Sequence, residues 1–448
     1  MIVMKFGGSS VASNEAIERV ASIVASRKDR CPVVVVSAMG KTTDKLLAIA
    51  DHAVSGRRDR ALDLLRELEQ FHLKEGAPCG GRTQELFREL SEMVRGLAVL
   101  GEITPRSVDA ISSYGERLSS MIVAEKFNQL GVKTAHVDAR ELVVTDSHHT
   151  AAAPLLPLTY TRIAERIQPL LPHYDAVVLG GFIARTEDGV PSTLGRGGSD
   201  FTASIVGAGI GAEEIQIWTD VDGMLTSDPR IVPDVRKVKV ISFDEAAELA
   251  YFGAKVLHPS TVLPAVEKNI PVMILNSFRP EGTGTRIIAG RVPCANAVKA
   301  ISCKKNITIV NIRSTRMVGA HGFLRRIFEV FDRHRTSVDM VSTSETSISA
   351  TIDNAAALPV IRRELAEFCT VDVESDQAIV CLVGDNIRFT PGIAGRIFQA
   401  LNGINIRMIS QGASLLNMGF VVAAADAPRA LKILHQEFFR TLDPDVFE

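Results

Sequence analysis

Short unbroken apolar runs alternate along this chain with longer stretches in which apolar residues return every three or four positions. Met1 to Phe6 is apolar except for Lys5 and stops at Gly7-Gly8-Ser9-Ser10. Ile17, Val20, Ala21 and Val24 then mark one face of a helix within Val11 to Arg27, with Ser13 and Asn14 available as N-caps. Pro32 to Ser37 is a valine run, the pattern of a strand buried on both faces. Strand, helix, strand in that order predicts a βαβ unit and a mainly parallel α/β sheet. Asp44 to Leu100 reads as helical with breaks at Ser55-Gly56 and Gly76 to Gly81. Pro105 to Leu130 reads as one long amphipathic helix carrying Ser113-Tyr114-Gly115-Glu116-Arg117 on its first turns. Further strands are expected at Val132 to Val137, Val177 to Leu179, Glu214 to Trp218 and Pro271 to Leu275. Helices are expected at Phe201 to Gly207, capped by Asp200, and at Ser242 to Phe252.

The composition changes near Arg291, and two similar units follow. Arg326-Ile327-Phe328 stands at the same offset from Gly322 as Arg396-Ile397-Phe398 from Gly392. Each triplet sits in a strand, helix, strand, strand, helix pattern, beginning at Ile307 in the first unit and Ala378 in the second. The pattern predicts an internal duplication of a small α+β unit. The expected division is 1–290 for the α/β part, 291–376 for the first repeat with its linker, and 377–448 for the second.

A length of 448 residues fits two or three domains. A formal net charge of −2 gives no global field to draw in nucleic acid or an anionic membrane. The six cysteines form no C-x-x-C pair, which argues against a zinc ribbon or redox dithiol. No basic leader with a hydrophobic stretch, and no membrane-length apolar run, is visible, so a cytoplasmic location is the expectation.

Candidate chemistry gathers at the glycine-rich turns. Lys5 beside Gly7, Gly8 and Ser9 predicts an anion cradle with a fixed ammonium, the plainer alternative being an ordinary turn after a buried strand. Two patterns mislead. Gly40-Lys41-Thr42 resembles the end of a P-loop, but Val35 stands where that motif requires glycine. Gly207 to Ala212 fits G-x-G-x-x-A, yet it follows a helix and precedes a strand, so its expected role is a helix stop. Glu116, the Arg196 loop, the Thr219-Asp220 loop and Lys255 complete the set. Arginine grips a carboxylate and a glutamate in the same pocket prefers an ammonium, and an amino acid carries both groups. Adjacent His148 and His149 read as a solvated loop, since neighbouring side chains diverge.

K-F-G-G-S-S from Lys5, S-A-M-G-K-T-T-D from Ser37, S-Y-G-E-R from Ser113, L-G-R-G-G-S-D from Leu194, W-T-D-V-D-G from Trp218 and F-G-A-K-V-L-H-P from Phe252 resemble the aspartokinases of the amino-acid kinase superfamily. The C-terminal repeats resemble their ferredoxin-like ACT domains. The likeness spans nearly the whole chain and is nearest to the single-function, lysine-sensitive branch. It implies an amino-acid-kinase sandwich and transfer of the ATP γ-phosphoryl group to the β-carboxylate of L-aspartate, the first step toward lysine, threonine and methionine. It implies that Lys5 holds the transferring phosphoryl, with Asp200 orienting Lys5. Thr43, Glu116, Arg196, Gly197, Gly198 and Ser199 would bind aspartate. Lys5, Gly7, Gly8, Ser9, Thr219, Asp220, Leu225, Arg230 and Lys255 would face the nucleotide, although Leu225 replaces a frequent aromatic. Met317, Phe323, Leu324, Val338, Asp339, Ser344 and Glu345 would meet an effector, but Gly319 departs from the lysine-sensitive pattern, which leaves lysine, threonine or no effector open. Mg²⁺ would ride on the ATP phosphates, with no metal cage in the protein, and dimerisation through the ACT part is expected. Another amino-acid kinase, acting on glutamate or N-acetylglutamate, and a non-catalytic amino-acid sensor are the competing readings.

Overall fold

The computed structural model describes residues 1–253, 258–314, 317 and 321–448. Contacts divide the chain into two compact units, one of Met1–Gly223 with Leu257–Ala289, the other of Met224–Val256 with Gly290–Glu448.

The first unit opens with β1 (Ile2–Phe6), a short 3-10 turn and α1 (Asn14–Ala25), whose N-cap Ser13 accepts the Ala16 N–H. After β2 (Pro32–Val36), the predicted breaks do separate three helices, α2 (Thr42–Val54), α3 (Arg58–Glu75) and α4 (Arg82–Leu100). The long helix expected next is divided at Ser113 into α5 (Pro105–Ser112) and α6 (Tyr114–Gln129). Nor is α6 amphipathic, because it is buried almost all round. There follow β3 (Thr134–Val137), β4 (Val144–Thr145), α7 (Leu156–Ile167), β5 (Ala176–Gly180), β6 (Ile183–Thr186), β7 (Pro191–Thr193), α8 (Gly198–Ile210) and β8 (Glu214–Thr219). Glycine at 211 stops α8 in the left-handed conformation, and Gly207 lets the helix close on Ile215, where a Cβ would meet Ile215 Cδ1 at 2.6 Å. The short β4, β6 and β7 form a small separate sheet that the apolar pattern did not announce.

The chain then supplies β9 (Val240–Ser242) and α9 (Phe243–Tyr251) to the second unit before returning with α10 (Leu263–Glu267), β10 (Val272–Asn276) and β11 (Thr285–Ile288). In the main sheet the strands of the first unit stand in the order β3-β5-β2-β1-β8-β10-β11. All neighbours run parallel except β11 on β10. Helices α1 to α4 and α6 enclose the apolar layer of Ile2, Met4, Phe6, Val34, Val36 and Val178. On the opposite face α8 packs against β1, with Gly207 near Val3. This is the mainly parallel α/β sandwich expected.

The second unit holds β12 (Ala300–Arg313), α11 (Phe323–Arg333), β13 (Val341–Thr343), β14 (Ser347–Ile352), α12 (Leu358–Leu365), β15 (Thr370–Val383), α13 (Ile393–Ala400), β16 (Ile406–Gln411), β17 (Asn417–Ala423) and α14 (Ala427–Phe438). Both repeats contribute to one antiparallel six-stranded sheet, β13-β14-β12-β15-β17-β16. β12 and β15 are each about twice the expected length. Residues 300–304 of β12 pair with the strand of the second repeat, and residues 370–374 of β15 pair with the strand of the first. Each repeat therefore takes its fourth strand from beyond its partner's pattern. Residues 224–239 join this unit through the chain end, where the Lys239 N–H donates to the Val446 carbonyl at 2.7 Å. A fully buried Lys299 ammonium, 2.8 Å from Glu245 of α9, ties α9 to the start of β12.

Candidate active site

In a parallel sheet the carboxyl ends of adjacent strands open on one edge, and ligands bind in the crevice there. At that edge β1, β2 and β5 end in Gly7-Gly8, Ser37-Ala38 and Gly180-Gly181. Close approach explains these glycines. A Cβ on Gly8 would lie 2.7 Å from the Ala38 carbonyl, and one on Gly181 would lie 2.7 Å from Ser199 Cα. The turns are thereby pulled around a cleft of about 280 Å³. Lys5, Gly8, Thr43, Glu116, Gly197, Gly198, Ser199 and Asp200 line it, together with Ser37, Ala38, Gly40, Phe182 and Gly195.

Lys5 projects from β1 into the cleft, where its Nζ lies 2.7 Å from Asp200 Oδ1. Both side chains are mostly buried, at 13% and 15% exposure, so the ammonium is held in one place rather than swept through solvent. Asp200 was expected to cap the following helix, but Gly197 occupies the N-cap and α8 begins at Gly198. Asp200 therefore lies in the first turn, free to pair with Lys5. That helix N-terminus, with Gly198 and Ser199 lining the cleft, adds a partial positive charge suited to an anion.

Opposite in chemistry is Glu116, on the first turn of α6 and 4% exposed. The Ala38 N–H donates to its Oε1 at 3.1 Å, whereas Oε2 is buried with no hydrogen-bond partner among the described residues. Burial pushes its carboxyl up to about 8, the Ala38 N–H acting in the other direction. A buried carboxyl oxygen left open at a cleft wall leaves room for a hydrogen-bonding group of a ligand. Gly115 permits the close fit of α6 here, since a Cβ would meet Ala38 Cβ at 2.8 Å. Phe182, at φ +66°, holds a left-handed conformation uncommon for a bulky residue, secured by its N–H donating to Thr202 Oγ1 at 2.9 Å.

Other expected residues stand apart from the cleft lining. Gly7 and Ser9 flank Gly8 on the same turn, with Ser9 exposed. The Arg196 side chain is exposed. Thr219 and Asp220 leave the end of β8, where the threonine hydroxyl donates to the Asp220 carboxylate at 3.1 Å. Leu225 and Arg230 belong to the second unit, and Arg230 is engaged by Asp228 at 2.8 Å. Lys255 and Gly319 lie outside the described residues. In the first repeat, Asp339 is 2% exposed and receives Lys304 Nζ at 2.8 Å and the Tyr251 hydroxyl at 3.0 Å, while its Oδ2 has no hydrogen-bond partner among the described residues. Met317 and Phe323 pack in the core of this repeat with Val338, whereas Leu324, Ser344 and Glu345 are exposed. Of the histidine pair, His148 is solvated, but His149 is not: its Nδ1 lies 2.7 Å from buried Asp109.

Among the described residues no cluster of His, Cys, Asp or Glu could hold a metal ion. No helix among them is long and apolar enough to cross a membrane.

The family model for the amino acid kinase family matches residues 1–276, and an ACT domain model matches residues 310–363 and 380–438. The chain belongs to the amino acid kinase family. It is 40% identical over 459 residues to a chloroplastic aspartokinase 1 of Arabidopsis thaliana, a match covering 98% of this chain and 80% of that protein. The crystal structure of Escherichia coli aspartokinase III in complex with aspartate and ADP (R-state) superposes with a TM-score of 0.84 at 33% identity, covering 98% of this chain and 100% of that one. Its complex with lysine and aspartate (T-state) gives 0.81 at 32% identity, with the same coverage. Within the family, the chain is one of the aspartokinases.

Proposed function

We propose that the cleft transfers the γ-phosphoryl group of ATP to the β-carboxylate of L-aspartate, giving 4-phospho-L-aspartate and ADP. The observation that carries the reading is the open Glu116 oxygen in the same cleft as the fixed Lys5 ammonium. One anchors a substrate ammonium, and the other meets phosphate. In this reading Thr43, Gly197, Gly198 and Ser199 complete the aspartate pocket, and Arg196 swings onto the α-carboxylate. Gly7, Gly8, Ser9, Thr219 and Asp220 take the nucleotide side.

A β-carboxylate with an ordinary pKa near 4 is ionised at neutral pH, so it attacks the γ-phosphorus without a general base. One P–O bond forms and the bond to the bridging oxygen breaks, its electron pair leaving with ADP. The obstacle is bringing two anions together, so the work is positioning and charge stabilisation. Lys5, oriented by Asp200, neutralises the migrating group. In this reading Mg²⁺ is carried by the ATP phosphates as part of the nucleotide complex.

Trapping the acyl phosphate with hydroxylamine tests the reading. Hydroxamate is expected from aspartate with ATP, and hydroxamate from glutamate alone would overturn it. Lys5→Ala is expected to lower kcat by at least roughly 100-fold with an unchanged circular dichroism spectrum, as for loss of a preorganised charge-stabilising donor.

We further propose that the ACT repeats receive an amino-acid effector, lysine being favoured by the likeness to the lysine complex and by the open Asp339 oxygen. Separate titrations of activity with lysine and threonine check this, inhibition by threonine alone being the contrary result.

A further inference from the structure

Asp109 belongs to none of the motifs above and does not line the cleft, yet it is 0% exposed and its carboxylate meets donors from one loop and the end of β7. The Thr193 hydroxyl donates to Oδ1 at 2.5 Å, the Thr150 N–H lies 3.0 Å from both oxygens, and His149 Nδ1 lies 2.7 Å from Oδ2. Asp109 sits on α5, which runs through Ser113 into the first turn of α6 and Glu116. Thr193 ends β7 and leads directly into Leu194-Gly195 and the turn that presents Gly197, Gly198 and Ser199. The Ala152 N–H closes on the Thr193 carbonyl at 2.9 Å. Gly195, at φ +72°, lies so close to the same loop that a Cβ would be 3.2 Å from the Thr150 carbonyl and from Ala151 Cβ.

We propose that Asp109 is a positioning residue for the amino-acid substrate. It clamps the turn bearing Gly197 to Ser199 against the helix joint bearing Glu116, and so fixes the distance between the groups that grip the two ends of aspartate. The argument is one of convergence. A buried carboxylate is costly unless fully hydrogen-bonded, and here the bonds that satisfy it all come from the segment beneath one wall of the cleft and from the strand that feeds it. Its removal would strand the Thr150 N–H and the Thr193 hydroxyl and loosen that wall. The nucleotide side, built on β1 and its glycine turn, has no bond to Asp109. This proposal rests on the aspartate cleft described above.

Steady-state kinetics of the full-length enzyme test it. Thr193→Val and Asp109→Ala are expected to raise KM for aspartate about tenfold, the scale of losing a hydrogen bond to a charged group, with KM for ATP nearly unchanged. Asp109→Asn keeps an acceptor for the Thr193 hydroxyl and should raise it less. The double variant Asp109→Ala with Thr193→Val should be no worse than Asp109→Ala alone, because the Thr193 hydroxyl acts through its bond to Asp109, which Asp109→Ala has already removed. An unchanged aspartate KM, equal rises in both KM values, or additive losses would overturn the clamp. Should Asp109→Ala fail to fold, Thr193→Val and Asp109→Asn decide the question. Wild-type turnover of aspartate tests the function itself, so the two failures are distinguishable.

Discussion

At the scale of single residues, the role proposed for Glu116 carries a pH dependence. Its carboxyl titrates near 8 because burial penalises the charge more than the Ala38 N–H favours it. Below that value the free enzyme holds Glu116 protonated, and a protonated carboxyl cannot pair with an ammonium. Binding an amino acid must then expel a proton. KM for aspartate should therefore fall as pH rises from 6 toward 8, by up to tenfold per unit, and level off above. Glu116→Gln should bind more weakly and show a flat profile over the same interval; a sloping profile in that variant would remove Glu116 from the role. Stability of the unliganded protein runs in the opposite sense. A carboxyl raised from 4.5 contributes stability that is fully present below 4.5 and lost as pH climbs through about 8.

Lys5 and Glu116, which the structure brings into one cleft, were legible as candidates because a charge standing in an apolar strand or beside a glycine invites explanation. Ala38 and Phe182 were not, since the first acts through its backbone N–H and the second through its backbone conformation. Neither signal is written in a side-chain type. Asp109, the proposed positioning residue, was missed for a related reason: its donors lie in a loop and a strand end forty or more positions away, which no spacing rule connects.

At the scale of elements, the helical layer of α2, α3 and α4 was predicted from periodicity and its breaks. What periodicity did not show is that α3 buries a histidine. His72, 1% exposed, has Nδ1 2.8 Å from the Leu68 carbonyl and lies edge-on to Phe87. Burial lowers its pKa to about 4, so it stays neutral where an exposed histidine would charge. For a base depressed in the fold, stability is full above 6.5 and lost as pH falls through 4. Denaturant titrations across that window should show a loss on the order of 3 kcal/mol, which His72→Gln should largely abolish. An unchanged slope in that variant would assign the acid sensitivity elsewhere.

The long strands β12 and β15 were read only in part. Each repeat's apolar pattern is interrupted by a polar stretch, Lys304-Lys305-Asn306 in one and Glu374-Ser375-Asp376 in the other. There Asn306 and Asp376 adopt positive φ, at 59° and 57°, and the β12–β15 register shifts. A bulge of this kind lets one strand continue past the point where its alternation appears to end.

At the scale of the whole molecule, the assignment of 224–256 to the second unit was invisible in sequence because it depends on distant partners, the chain terminus and Lys299. The buried Glu245–Lys299 pair supplies a direct check. Glu245→Ala leaves an ammonium with 0% exposure beside, among the described residues, only the Val292 carbonyl and should cost about 3–5 kcal/mol. Adding Lys299→Met should restore most of it, as measured by urea unfolding. A double variant no better than the single one would show that the charge pair is not what holds α9 there.

The interleaved strands also constrain how such regulatory halves can be inherited. A crossover that imported one repeat from a diverged relative would bring half of β12 or β15 without the neighbour that its edge was selected to match. Shuffling of effector specificity is therefore expected to proceed by exchange of the whole pair, or by point changes inside it, rather than by trading repeats one at a time.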